Sequence, residues 1–405
     1  LTSLRIKTNF NIWKVDLSKE NWTHADPKLS WNGFDVKLPD NLSGPLKDKT
    51  LGSLNSVDSV DVDFDAVKQY LDKVAAPELN RDPQDVTISL DDQGKVKFDG
   101  FAFNGQSIDY ERAFYVIRKA IQDRIEEIRL PLTIIPATVN VLSDDLKQKG
   151  IAQLISTGET NFKNSPANRR TNIQVGLASF NGRIIAPNTA SGAGEILGKV
   201  DDTTGYKKEL VIKGDKTVPE FGGGLCQVST TVYRSFLMGG FPILERTNHS
   251  YAVSYYDPQG LDATIYPPNP DMKFKNDTPN SILLQTTTVG DKAYANVYGT
   301  AVDRQVDLIG PYYYDFLPVP PPRTEYTTTL APGEKKKLGD AHGGFKADWY
   351  RRISYPDPSQ KEIIERIHSS YEPRPLYTVI GIAPNTSLPD GGSMANLPKN
   401  LFEAP

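Results

Sequence analysis

Two periodicities run along this chain. Apolar residues spaced by three and four mark helices, and apolar–polar alternation marks strands, so the pattern predicts a multi-domain, strand-rich α+β protein. Residues 1 to about 60 alternate around Leu4, Ile6 and Ile12 and read as strands joined by long loops. An Asp-capped amphipathic helix then begins at Val62-Asp63-Phe64, with Phe64, Val67, Tyr70 and Leu71 on one face. Val86–Leu90 alternates, Asp91-Asp92-Gln93-Gly94 turns, and Val96-Lys97-Phe98 returns as a hairpin. A second helix is expected over residues 110–125, with Ala113, Phe114, Ile117 and Ile121 on one side, followed by a strand over residues 128–135. This helix, hairpin, helix, strand order makes an α+β module.

Further on, a short helix over residues 141–150 precedes a second unit that starts near Ile151. A helical pattern there runs through Val175, Leu177 and Ala178 to a turn at Asn181-Gly182, then strands at 183–185 and 209–212 and a turn at 213–215. From Cys226, the apolar residues Val228, Val232, Tyr233, Phe236 and Leu237 keep helical spacing until Gly239-Gly240 stops the helix. Beyond Thr300 the composition shifts. The polyproline run at 318–322 is a stiff linker or edge, short strands follow, and Pro, Gly, Ser and Asn dominate from 384. The expected division is an α+β module over 1–145, a cysteine-bearing domain over 146–305, a small β module over 306–383 and a flexible tail over 384–405.

Composition narrows the function classes. Lys and Arg total 46 against 50 Asp and Glu, and the net charge of −4 with no dense basic run argues against nucleic acid. Thirty prolines, 31 glycines and 19 tyrosines fit a turn- and strand-rich chain. Four scattered histidines show no metal-ligand spacing, so neither metal nor cofactor is called for. The chain opens on Leu1 rather than Met, and a membrane anchor upstream is expected.

The single cysteine, Cys226, changes the picture most. It follows Gly222-Gly223-Gly224-Leu225 and lies in the first turn of its helix. The unpaired N–H groups and partial positive charge of a helix start favour an anion, so a thiol placed there ionises readily. Cys226 is therefore the candidate nucleophile. The competing reading is a small buried hydrophobe.

Residues 60–140 carry Val62-Asp63-Phe64-Asp65, Phe103-Asn104-Gly105-Gln106-Ser107-Ile108-Asp109 and Leu130-Pro131-Leu132 with Pro136-Ala137. They resemble the peptidoglycan-binding domain that precedes VanW-type domains in bacterial surface proteins. The next unit resembles a VanW domain through Arg169, Asn172-Ile173, the run from Gly222 to Tyr233, Glu245-Arg246, His249-Ser250, Asp262-Ala263-Thr264 and Phe274-Lys275-Asn276. Leu225 stands where isoleucine is usual, and residues 186–206 fit the pattern loosely. The resemblance implies an extracytoplasmic protein of the bacterial cell surface or wall. It also implies L,D-transpeptidase chemistry, in which a cysteine thioester intermediate cross-links peptidoglycan stem peptides, the expected partners.

That chemistry needs a base and oxyanion donors beside the thiol. His249, 23 residues after Cys226, is the only histidine in the VanW-like segment. Asp262 or Ser250 is the candidate to orient it. The N–H groups around Gly223, Gly224 and Leu225 are candidate oxyanion donors. Arg246 is the candidate for a stem-peptide carboxylate, and Tyr251, Tyr255 and Tyr256 for the groove. A peptidase or amidase acting on the same wall, or a non-catalytic wall-binding scaffold, are the alternatives.

Overall fold

A computed structural model describes residues 1–31, 34–35, 55–213, 216–266, 268–339, 341–388 and 392–395. Residues 214–215 of the expected 213–215 turn, and most of the expected tail over 384–405, lie outside them. Among the described residues no helix is long and apolar enough to cross a membrane. The fold is multi-domain α+β, with many small sheets and few long helices.

The chain forms two units, one of residues 1–83 and 104–136 and the other of residues 84–103 and 137–405. In the first, the helices Phe64–Val74 and Tyr110–Asp123 begin at Asp63 and Asp109, whose carboxylates accept the N–H groups of Ala66 and Arg112. Their apolar stripes bury Val67, Leu71, Ile117 and Ile121 against Leu4, Ile6 and Val15 of a strand pair, Ser3–Lys7 and Ile12–Asp16. Phe64 is the exception to its predicted face. It stays exposed and meets Phe114 edge to face. The strand expected over 128–135 is two strands, Glu127–Arg129 and Leu132–Ile135, broken at Leu130-Pro131. Proline supplies no N–H for a continuous ladder, and the halves join different partners: Ser3–Lys7 in parallel, Gly105–Ile108 antiparallel.

The hairpin of Gln84–Leu90 and Val96–Phe103 is part of the second unit, and its Val86, Ile88 and Ala102 meet Val141, Leu146, Leu283 and Tyr298 there. Two buried amides fix it there. Gln285 donates to the Gly100 carbonyl at 2.8 Å and Asn296 to that of Ala102 at 2.7 Å. Alternation predicts such a strand's apolar face but not which surface covers it.

The centre of the second unit is an antiparallel sheet in the order Gln153–Asn161, Lys292–Gly299, Ile282–Val289, Ile184–Ile185. The helix Leu225–Met238 lies on it, and almost every residue is buried. Gly158 permits that approach, since a Cβ there would sit 2.1 Å from the Thr231 carbonyl oxygen. Farther along, Gln305–Leu317, Gly344–Ser354 and Ile363–Tyr371 make a three-stranded antiparallel sheet. Its buried Arg351 donates to the carbonyls of Leu237 (3.3 Å) and Phe241 (2.8 Å), and pairs with Glu365. A cation is thus set at the end of the cysteine-bearing helix, where carbonyls lack intrahelical partners and the dipole is negative. Arg351→Met should lower the unfolding free energy by about 2 kcal/mol, chiefly through the Phe241 carbonyl that loses this donor, measurable by denaturant titration.

Candidate active site

The strands Lys208–Lys213 and Lys216–Phe221 pair antiparallel and deliver the chain into Gly222-Gly223-Gly224. Gly224 has φ of 118°, and a Cβ there would lie 3.1 Å from Arg169 Cγ and 3.2 Å from the Arg169 carbonyl oxygen. Only glycine accepts both conditions. Asn172, fully buried, fastens the turn. Its Nδ2 donates to the carbonyls of Gly223 (3.0 Å) and Lys207 (2.9 Å), and its Oδ1 accepts the Lys207 N–H (2.7 Å). The helix then starts at Leu225, and Cys226 stays partly exposed between two buried neighbours. Exposure at a helix start is where a thiolate is both stabilised and reachable.

The opposite wall is irregular chain held by the same helix. Ser229 donates to the Ala263 carbonyl, and Thr230 Oγ1 accepts the Ala263 N–H at 3.0 Å. One turn on, buried Arg234 donates to the carbonyls of Leu261 (3.2 Å) and Tyr256 (2.8 Å). These bonds replace a sheet ladder and align residues 256–263 with the helix. Asp262 thereby faces the thiol end, and the Ile265 carbonyl oxygen lies 3.6 Å from Cys226 Sγ.

Within this frame the His249 imidazole lies close enough to the Cys226 thiol for each to shift the other's ionisation. His249 Nδ1 lies 2.6 Å from Asp262 Oδ2, which also accepts the His249 backbone N–H at 2.7 Å. His249 is 5% exposed and Asp262 1%. The Tyr256 ring stacks on the imidazole at 4.8 Å between centroids. With Nδ1 turned to the carboxylate, Nε2 is the nitrogen left to serve the thiol, which fits the Cys–His–Asp order of a cysteine nucleophile.

The electrostatics follow from these contacts. Burial pushes the Cys226 thiol up, but the bond and charge of His249, helped by Arg169, outweigh it and hold the thiol below its ordinary value. Burial alone would depress His249, yet the bond to Asp262 and then that to Cys226 raise it to about 9. Burial likewise opposes the Asp262 carboxylate, and His249 and Arg246 together hold it well below the usual range. Each partner therefore favours the charged form of the other, the direction of a thiolate–imidazolium pair.

The structure brings Cys226, His249 and Asp262 together and gives several other candidates different surroundings. Asp262, and not Ser250, meets the second ring nitrogen; Ser250 is exposed, and its carbonyl accepts the Glu372 N–H at 2.6 Å. Arg246 is turned to Asp262 and the backbone around it. Its nitrogens donate to the Asp262 carbonyl (2.6 Å), the Gly260 carbonyl (3.0 Å), the His368 carbonyl (3.0 Å) and Asp262 Oδ1 (3.2 Å). Tyr251 is buried against His342 and Arg374, away from the thiol. The Leu225 N–H is taken by the Gly222 carbonyl at 3.0 Å. Gly223 and Gly224 shape the turn, and the Cys226 N–H, in the first helical turn, is a candidate oxyanion donor.

Two contributors carry little sequence signal. Tyr371, from the three-stranded sheet, accepts the Gly260 N–H at 2.8 Å and donates to Asp262 Oδ1 at 2.5 Å. Burial and the adjacent carboxylate raise its pKa, so the hydroxyl stays a donor. Arg169 reaches the thiol's surroundings from the helix Ala167–Phe180. Its place in the family pattern was the available signal, without a role attached.

Comparison with known proteins adds an outside view of this site. Residues 168–298 match the family described as VanW like protein. The Bacillus subtilis (strain 168) protein YoaR is 29% identical over 143 residues, 35% of this chain and 47% of that protein. The vancomycin B-type resistance protein VanW of Enterococcus faecalis (strain ATCC 700802 / V583) is 27% identical over 136 residues, 32% of this chain and 49% of that protein. The chain spans about half the length of the curated relatives it matches. The matched segment contains Cys226, His249, Asp262 and Arg169, whereas Tyr371 lies beyond it.

Proposed function

We propose that the VanW-like domain over residues 168–298 is a cysteine acyltransferase of the bacterial cell wall, of L,D-transpeptidase type, acting outside the cytoplasm. The VanW-type relatives suggest a cell-wall-associated function. The observation that carries the chemistry is the buried line from Asp262 through His249 to a partly exposed thiol at a helix start. Residues 60–140, through their resemblance to a peptidoglycan-binding domain, are the proposed contact with the wall.

In this reading the Cys226 thiolate attacks the carbonyl carbon of an amide in a donor stem peptide. The oxyanion faces the Cys226 N–H and the positive end of the helix dipole. The imidazolium of His249 hands its proton to the departing amine, the C–N bond breaks, and a thioester remains on Cys226. The amine of a second stem then attacks the thioester. His249 takes up its proton, an amide forms, and the thiolate returns. Asp262 keeps the imidazole oriented and offsets its charge throughout.

Intact-mass detection of an acyl adduct on Cys226 after incubation with a donor stem peptide or a carbapenem tests this. The expected result is an adduct in the wild type, none in Cys226→Ala, and cross-linked dimers from purified muropeptides. Trimmed monomers in place of dimers would identify a hydrolase. A folded protein that forms no adduct and still binds wall would indicate a scaffold.

A further inference from the structure

With Arg246 turned to Asp262, a different cation stands beside the thiol. Arg169 lies along the glycine turn, its Cγ and carbonyl oxygen close against Gly224, two residues before Cys226. Its guanidinium is held on three sides. Nη1 donates to Ser165 Oγ at 2.7 Å, Nη2 donates to Gln227 Oε1 at 2.9 Å, and the Tyr255 ring lies 4.3 Å beneath its central carbon. Gln227 is fully buried and anchored through Nε2 to the Asn161 carbonyl at 3.2 Å, so its oxygen presents a fixed acceptor to Arg169. Arg169 itself, like Tyr255, remains partly exposed.

These contacts occupy two of the five N–H donors of a guanidinium. Neither Ser165 nor Gln227 carries charge, and among the described residues no carboxylate is paired with Arg169. The cation is preorganised, stacked on an aromatic face and without a carboxylate partner among the described residues, close to the candidate nucleophile. A planar fork in that state suits a carboxylate better than any neutral group.

We propose that Arg169 is an anion subsite that binds a free carboxylate of the substrate, carried next to the bond that Cys226 attacks. This deepens the acyl-transfer reading and rests on it. It restricts the donor to peptides cleaved at their C-terminal residue, whose own carboxylate is the group held, and disfavours internal bonds. Gln227 and Ser165 act as positioning residues for the guanidinium.

Alkylation of the native full chain with iodoacetate and iodoacetamide separates the two ideas without requiring the natural substrate. In both reactions the Cys226 thiolate forms an S–C bond and iodide leaves; only iodoacetate carries a carboxylate beside the reacting carbon. The imidazolium of His249 favours iodoacetate as well, so the readout is the change in rate ratio between wild type and variants. Arg169→Gln should lower the iodoacetate-to-iodoacetamide ratio about tenfold, the scale of one charge-assisted hydrogen bond, while iodoacetamide labelling persists. Arg169→Lys, which keeps the stem and the charge but loses the fork, should lower it severalfold and decides the matter if the Gln variant does not fold. A ratio unchanged in the folded variants, with brisk iodoacetamide labelling, overturns the subsite and leaves the acyl-transfer reading standing. A native Cys226 that accepts neither reagent overturns both.

Discussion

Asp262→Asn should slow acylation of Cys226 by about a thousandfold or more, the scale set by removing the charge from the acid of a catalytic triad. Every oxygen of this carboxylate has donors facing it. Oδ2 accepts from the His249 backbone and ring, and Oδ1 from Arg246 and Tyr371. An amide NH2 must therefore oppose a donor wherever it is placed. If it faces His249, Nδ1 becomes the acceptor and the proton moves to the nitrogen nearest the sulfur. If it faces Arg246, donor opposes donor there, and in either orientation a buried cation loses its counter-charge, which costs about 3 kcal/mol or more in stability. Rates from intact-mass time courses, with melting of the same sample, separate the two effects. A folded variant acylating within threefold of wild type would show that Asp262 only supports the loop.

Removing the imidazole has the next largest effect. In His249→Ala, the main influence lowering the thiol is gone and burial is left to raise it. Iodoacetamide labelling at pH 7 should then fall severalfold, towards a limit of about thirtyfold set by the thiolate fraction of a thiol at its ordinary value of 8.5. The wild-type rate should rise at lower pH than the variant's, which should climb through and beyond the ordinary thiol range. Coincident pH profiles would contradict a thiolate–imidazolium pair. Stability carries the same signature. The pKa of His249 rises from 6.5 unfolded to about 9 folded, so its contribution is complete below pH 6.5 and lost as pH climbs through about 9. Asp262 is lowered instead, so its contribution holds above its unfolded value of 3.8 and disappears as the medium becomes acidic.

Local physics made much of the fold legible. Asp63 and Asp109 as caps, the three–four spacing behind them, and the Gly239-Gly240 stop each act within a few residues, and the helices appear where those signals place them. Signals failed where the outcome depends on a remote surface. Residues 128–135 have strand composition, but Pro131 and two different partners divide them. The 84–103 hairpin alternates cleanly, yet its apolar face is covered by residues near 141–151 and 283–298.

The site divides along the same line. Sequence alone determined that Cys226 stands at a helix start behind a glycine turn, because helix period and backbone freedom are properties of neighbouring residues. It also left His249 as the sole histidine within the domain. Only the tertiary structure decided that Asp262 rather than Ser250 meets the imidazole, that Arg246 serves Asp262, and that Arg169 is the cation beside the thiol. A long cationic side chain goes wherever acceptors converge. Those acceptors come here from segments as distant as Gly260, His368 and Gln227, and from a tyrosine at position 371. No short-range pattern encodes their meeting, which exists only once sheet and helix have packed.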